Sequence, residues 1–295
     1  MKTEENQCNP SSCGSCGDTS CSAAQKPAPQ QAAPGQDDTK LRSRLSRIRR
    51  KIIVMSGKGG VGKSTVAVNL AMSAMLSGQR VGVLDVDLHG PSVPIMLGLI
   101  GQTLESGDNG MRPVEIGGLK VLSVGFLLKH ADDPVIWRGP MKMSVIRQFI
   151  EDVDWGELDL LVIDSPPGTG DEPLTVCQLI PDLDGAVIVT TPQKVAVADV
   201  RKSISFCREV GVPVLGVIEN MSGFACPKCG EVTPILRAGG GRIMAEQMHV
   251  PFLGSIPIDP LIAESGDAGT AFVESAASSP AAGIFREIVR ELTVG

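Results

Sequence analysis

Gly57-Lys58-Gly59-Gly60-Val61-Gly62-Lys63-Ser64-Thr65 decides the reading of this chain. The stretch fits the pattern G-x-x-x-x-G-K-[ST] in full. It follows an apolar run, Ile52-Ile53-Val54-Met55, and precedes a helical pattern from Thr65 to Leu76. Glycines in such a loop let backbone N–H groups converge on phosphate oxygens, and the N-terminus of the following helix favours negative charge. Lys63 is placed to reach the β- and γ-phosphates of ATP, and Ser64 to hold Mg²⁺. Lys58, early in the loop, lies outside the general pattern and narrows the family.

On either side of the loop, short β-branched runs alternate with helical stretches. The expected strands are Lys51–Met55, Arg80–Asp85, Lys120–Val124, Leu158–Asp164, Ala186–Thr190, Val214–Glu219 and Phe252–Ile256. Several are apolar almost throughout, as strands covered on both faces should be. Helical patterns at Met141–Glu151, Val195–Val210, Gly241–Met248 and Ala281–Leu292 lie between or after them. This alternation predicts an α/β fold, a doubly wound and mostly parallel sheet, with ligands beyond the carboxyl ends of the strands. The glycine loop, Asp85, Asp87 and Asp164 all fall at such ends.

Leu160-Leu161-Val162-Ile163-Asp164 is an apolar run closed by an acid, which places Asp164 to hold Mg²⁺ directly or through water. The Pro/Gly loop after it, Ser165 to Asp171, is suited to contact a γ-phosphate and change shape on hydrolysis. Val83-Leu84-Asp85-Val86-Asp87 ends another strand with two acids, which share a face if the strand persists. Asp87 is expected to position the attacking water or join the Mg²⁺ shell, with Asp85 in support.

Composition sets the bounds. Hydrophobic residues make up 42% and charged residues 20% of 295 residues, ordinary for a globular protein. No apolar run approaches the ~20 residues that span a bilayer. The polar, Cys-bearing stretch from Met1 to Gln36 is unlike a secretory leader. A cytoplasmic location without membrane association is expected, and in that reducing setting eight cysteines suggest metal before disulfide. A net charge of −6 argues against general nucleic-acid binding. Lys40–Lys51 holds seven of the 27 basic residues; it could dock an acidic partner or nucleic acid, but a solvated helix leading into the first strand is the favoured reading. The chain divides into a Cys-rich tail at 1–25, a linker and basic segment at 26–50, and a body at 51–295.

The cysteines add a second chemistry. Cys226-Pro227-Lys228-Cys229-Gly230 is a CxxC knuckle that supplies two thiolates, whereas a closed tetrahedral site takes four. The other pair must come from the tail or from a second subunit, and a two-fold dimer would bring two knuckles together on its axis. Structural zinc, a redox dithiol and an unliganded turn are the alternatives. Cys8, Cys13, Cys16 and Cys21 form C-x4-C-x2-C-x4-C in a polar tail, a set suited to a [4Fe–4S] cluster or Zn²⁺. Cys177 and Cys207 sit in apolar helical patterns and read as packing residues. His89, His130 and His249 have no ligand spacing.

The loop with Lys58, together with Asp87 in DVDLHGPS and Asp164 in VIDSPPGTGD, resembles the MinD/ParA-like ATPases. That resemblance implies a homodimer facing across two ATP molecules, with Lys58 reaching into the partner's site. It also implies that Asn220, after a late strand, reads adenine. Adding CPKCG, Trp137-Arg138-Gly139-Pro140 and Asn220-Met221-Ser222-Gly223, the chain from about 48 to 295 resembles the Mrp/NBP family of iron–sulfur cluster carrier ATPases. The resemblance implies a labile [4Fe–4S] cluster bridged by Cys226 and Cys229 of two subunits and passed to apo-proteins under the control of ATP. Some members carry an N-terminal four-Cys segment; the one here has a shorter first gap than the eukaryotic members. No chemistry is assigned to Arg138. The competing readings are a MinD/ParA-like cargo-positioning ATPase and an ATP-responsive zinc protein.

Overall fold

Every residue of the strand Lys51–Ser56 is buried, and its side chains divide between two cores. Ile52 and Val54 join one apolar cluster, Ile53 and Met55 the other. Successive strand side chains point to opposite faces, so this division means that helices cover the sheet on both sides. The computed structural model describes residues 36–87, 90–127, 139–180, 182–226, 228–229 and 231–293. Cys8, Cys13, Cys16, Cys21, His89, His130 and Arg138 lie outside the described residues.

The described chain starts with α1 (Gln36–Leu45), β1 (Lys51–Ser56), α2 (Lys63–Leu76), β2 (Val81–Asp85) and α3 (Val93–Met96). A small excursion follows as β3 (Glu105–Gly107), β4 (Gly110–Arg112) and β5 (Val114–Ile116), and the chain re-enters the sheet as β6 (Leu119–Ser123). Alternation then resumes with α4 (Gly139–Asp152), β7 (Leu160–Asp164), α5 (Asp171–Leu179), β8 (Gly185–Thr190), α6 (Lys194–Glu209) and β9 (Val214–Ala225). Last come β10 (Val232–Thr233), α7 (Gly240–Gln247), β11 (Phe252–Ile258), α8 (Pro260–Asp267), α9 (Phe272–Ser275) and α10 (Pro280–Thr293).

Nine of these strands form one sheet in the order β10-β9-β8-β1-β7-β2-β6-β5, with β11 also paired to β9. All pairings are parallel except those of β5 and β10. β1 lies between β7 and β8, so the loops that leave β1, β7 and β2 open onto one edge. The opposite edge is tied by Arg80, whose guanidinium takes both carboxylate oxygens of Asp159 at 3.0 and 3.1 Å and reaches Glu157 at 2.6 Å. Arg80 also donates its backbone N–H to Asp159, which fixes where β2 starts against β7.

α2 is buried from Val66 to Ala74, the signature of a helix packed on all sides. One of its contacts is α10, whose Ala281, Ala282, Phe285, Ile288, Val289 and Leu292 face the core. Burial of an aliphatic or aromatic side chain of this size stabilises by about 1.5–3 kcal/mol. The basic segment runs from α1 into the start of β1: Arg42, Arg47 and Arg49 are exposed and Lys51 is buried, while Leu41, Leu45 and Ile48 are buried against the second core. The segment is therefore solvated on one side and packed on the other. β9 extends six residues past its expected end at Glu219, and that extension shapes the site.

Candidate functional site

The loop from Gly57 to Gly62 joins β1 to α2 as the motif requires. Gly62 caps α2 with φ of 79°, in the left-handed region that disfavours a side chain. A Cβ there would run into the Asn220 amide nitrogen. Asn220 is buried at the end of the β9 segment flanked by β8 and β11, and its amide donates to the carbonyl of Val61 at 2.9 Å. The residue expected to read a base thus already touches the phosphate loop from the side.

Lys63 and Asp164 form the electrostatic centre. Lys63 is 6% exposed and Asp164 fully buried, and the ammonium lies 2.5 Å from Oδ1. Lys63 also donates to Ser64 Oγ at 3.1 Å. The lysine expected on the phosphates is thus paired with the acid expected on the metal. Among the described residues, the buried Asp164 Oδ2 has no hydrogen-bond partner. A buried carboxylate oxygen with an unused lone pair, beside a serine hydroxyl, fits a hard cation such as Mg²⁺.

Parallel pairing of β2 and β7 sets Asp85 directly beside Asp164. Burial, and then the neighbouring Asp164, push the Asp85 carboxyl up to about 8. Its oxygens accept from Ser123 Oγ at 2.9 Å and from the Asp87 backbone N–H at 3.1 Å. The strand does not persist: β2 ends at Asp85, and Asp87 is placed by the turn that this hydrogen bond closes. Asp85 is thereby a support, and Asp87 is the half-exposed acid at the mouth. Asp164 is itself raised, first by burial, with Lys63 opposing.

The Pro/Gly loop after Asp164 is fastened to the end of β1. The Gly168 N–H donates to the Ser56 carbonyl at 2.8 Å, and Ser165 Oγ to that of Val54 at 3.0 Å. Lys58 is half-buried, and among the described residues its ammonium has no hydrogen bond or ion pair. A cavity of about 410 Å³ opens beside Gly62 and Thr65 and runs past Asn220 and Met221 to Ile258 and Phe272. Its volume and largely apolar walls suit a nucleoside.

Cys226 and Cys229 occupy the tip of a hairpin. β9 and β10 pair through Ala225 and Val232, and the Cys226 N–H donates to the Glu231 carbonyl at 2.9 Å. Backbone N–H groups of Lys228 and Cys229, and the Cys229 thiol, bond Cys226 sulfur and hold its pKa below the usual thiol value. Cys229 is exposed and Cys226 half-buried. Among the described residues no cluster of three or more His, Cys, Asp or Glu could hold a metal, so the knuckle remains a two-ligand set. Cys207 is buried and Cys177 half-buried, with burial raising their thiols to about 12 and about 11. His249 sits exposed at φ of 52° just past α7.

Sequence reasoning passed over Glu219. It is fully buried and accepts from Ser222 Oγ and from the backbone N–H groups of Gly239 and Gly241. An acid closing an apolar strand followed by Asn was the one available signal.

A glycine loop capping a buried helix, a lysine on a buried strand-end acid and a nucleoside-sized cavity define a P-loop nucleotide-binding protein. The chain belongs to the family described as NUBPL iron-transfer P-loop NTPase, of the ParA group, which it matches over residues 47–293. It is 52% identical over 239 residues to an iron–sulfur cluster carrier protein of Methanocaldococcus jannaschii, covering 81% of this chain and 82% of that one. It is 49% identical over 254 residues to a cytosolic Fe–S cluster assembly factor Nubp2 homologue of Anopheles gambiae, covering 84% and 98%. Among solved structures, the nucleotide-binding protein of Archaeoglobus fulgidus in complex with ADP superposes with a TM-score of 0.71 at 42% identity, covering 80% of this chain and 92% of that one. The septum site-determining protein MinD of Pyrococcus horikoshii with Mg-ADP gives 0.62 at 25% identity, covering 82% and 95%.

Proposed function

We propose that the chain is a homodimeric ATPase that carries [4Fe–4S] clusters and transfers them to apo-proteins, with ATP occupancy setting how firmly the cluster is held. The observation that carries this reading is the course of β9. One strand bears Asn220 against the phosphate loop and then runs on to the hairpin that displays Cys226 and Cys229. The relatives named as cluster carriers and cytosolic assembly factors support it and favour a cytoplasmic site of action.

ATP would lie with its phosphates on the backbone of 57–65 and its adenosine in the cavity beside Asn220. Lys63 would leave Asp164 for the β- and γ-phosphates, and Asp164, Ser64 and Asp87 would then hold Mg²⁺. The metal's contribution is neutralisation of phosphate charge. Asp87, at the mouth, positions the attacking water. Lys58 is free to reach a facing subunit, where it would stabilise charge developing on the phosphates. The knuckle's two thiolates call for a second knuckle, so the cluster is bridged between subunits, exposed and transferable. We assign to residues 1–25 a second cluster on Cys8, Cys13, Cys16 and Cys21, to 26–50 the linker and basic segment, and to 51–295 the ATPase body. Cargo positioning through a membrane-bound C-terminal helix is disfavoured, because the apolar face of α10 is spent on the core. No helix among the described residues is long and apolar enough to cross a membrane.

The test is iron, acid-labile sulfide and zinc per monomer in protein purified without oxygen. Iron and sulfide of ~2 each match one bridged four-iron cluster per dimer, and ~6 each add a tail cluster per subunit. Zinc without sulfide overturns the carrier reading in favour of a zinc protein.

A further inference from the structure

Glu219 and Asn220 are adjacent on β9 and face opposite ways, as strand neighbours must. Asn220 holds the phosphate loop through Val61. Glu219 faces the other way and holds both feet of the segment that carries the thiols. On the near foot its Oε1 accepts from Ser222 Oγ at 2.6 Å. On the far foot Oε1 accepts from the Gly239 N–H at 2.9 Å and Oε2 from the Gly241 N–H at 2.5 Å. Between Ser222 and Gly239 the chain rises through the extension of β9, the Cys226–Cys229 tip and β10, and its residues 233–238 are exposed apart from Leu236.

The far foot is the start of α7, whose cap Gly239 has no side chain to satisfy the first N–H groups. A carboxylate there meets both the orphan donors and the positive end of the helix. α7 is a firm anchor, since Arg242 stacks 4.4 Å above the Phe252 ring of β11. The near foot is strained. Met221, between Asn220 and Ser222, has φ of 56°, in the left-handed region that disfavours a residue with a side chain. Met221 also lines the nucleoside cavity. A ligand that shifts Asn220 or Met221 thus acts one or two residues along the chain from the carboxylate that fixes the thiol segment.

We propose that Glu219 is a positioning residue that couples nucleotide occupancy at Asn220 and Met221 to the placement of Cys226 and Cys229. This rests on the carrier reading for its biological purpose, but the coupling itself requires no cluster. It requires that nucleotide binding and the thiol segment share a mechanical joint, and that Glu219 be that joint. A ligand can shift such an element only by its different affinity for the two arrangements.

The experiment uses the full chain with its thiols free of iron and zinc. The rate of N-ethylmaleimide modification of Cys226 and Cys229 is measured by peptide mass spectrometry with and without Mg-ADP and a non-hydrolysable ATP analogue. Wild type is expected to show at least a threefold nucleotide-dependent change in rate. Glu219→Gln turns an amide N–H toward Gly239 or Gly241 in place of an acceptor. It should bind ADP within about twofold of wild type yet lose that change. Ser222→Ala removes one arm at a half-buried position and leaves the rest of the core intact, so it keeps the test available should Glu219→Gln not fold; it should shrink the change. A nucleotide-dependent rate that survives both substitutions overturns the proposal, as does a wild type whose rates ignore nucleotide. Iron and sulfide content after reconstitution of wild type is read separately: its absence overturns the carrier reading while the coupling result stands.

Discussion

Replacing Gly62 by Ala tests the geometry of the phosphate loop most directly. Gly62 has φ of 79°, where an L-residue pays about 1–2 kcal/mol. The new methyl would also strike the Asn220 amide nitrogen, with Asn220 Cγ at 3.5 Å and Met221 Cε at 3.8 Å. Asn220 must then give up its 2.9 Å bond to Val61, a loss of about 1 kcal/mol. The sum is about 2–3 kcal/mol. If the loop keeps its shape, the cost appears as stability, roughly 5–10 °C in Tm for a domain of this size. If the loop relaxes, the cost appears when nucleotide restores it, as a roughly 30- to 150-fold weaker Kd. Differential scanning fluorimetry and calorimetric titration with Mg-ADP together capture both routes. Gly60→Ala is the control: φ is 78°, but its Cβ would meet nothing within 4 Å, so about 1–2 kcal/mol of strain is the whole penalty. Wild-type Tm together with wild-type Kd in Gly62→Ala would refute the reasoning, and equal effects in the two variants would remove Asn220 from it.

Lys58→Ala should leave nucleotide affinity within about threefold while ATP turnover falls roughly 10²- to 10³-fold, the loss typical of one charge-stabilising donor; unchanged turnover rules out a role for Lys58 across a dimer. Alkylation of the native chain at about pH 8, followed by peptide mass spectrometry, should label Cys226 and Cys229 well before Cys177 and Cys207, whose thiols burial raises to about 11 and about 12. Equal labelling would show that the helical cysteines are not packed as described. Arg80 holds the Asp159 carboxyl at about 2, below its ordinary value of 3.8. A lowered folded-state pKa stabilises above the unfolded value and is lost as pH falls through the folded one. The urea midpoints of wild type and Asp159→Asn should therefore lie furthest apart above about pH 4 and converge toward about pH 2; a constant gap would show that the carboxylate's charge is not what matters.

Much of this architecture can be read from the chain because it is written locally. β1, β2, β7 and β8 are short apolar runs closed by loops, and a strand covered on both faces needs little more. The edge strands β5 and β10 are three and two residues long and leave no period to detect. Continuation of β9 past Glu219 was hidden because Asn220-Met221-Ser222-Gly223 has turn composition, and only pairing with β11 and β10 carries the strand on through it. The basic segment reads as a solvated helix, but its packing is hidden: Leu41 and Leu45 of α1 and the following Ile48 are too few to outweigh the arginines around them until a core is there to receive them.

The sequence by itself determined the phosphate loop, the acid at the end of β7, the layered α/β fold and the two-thiol knuckle, since each depends on residues within about ten positions of one another. Tertiary structure alone decided that Lys63 rests on Asp164, that Asp85 lies beside that pair, that Asn220 braces Val61, and that Glu219 grips Gly239 and Gly241. These contacts join positions 20 to 159 residues apart. Strand order and register bring them together, and no local pattern of side chains encodes which strands become neighbours.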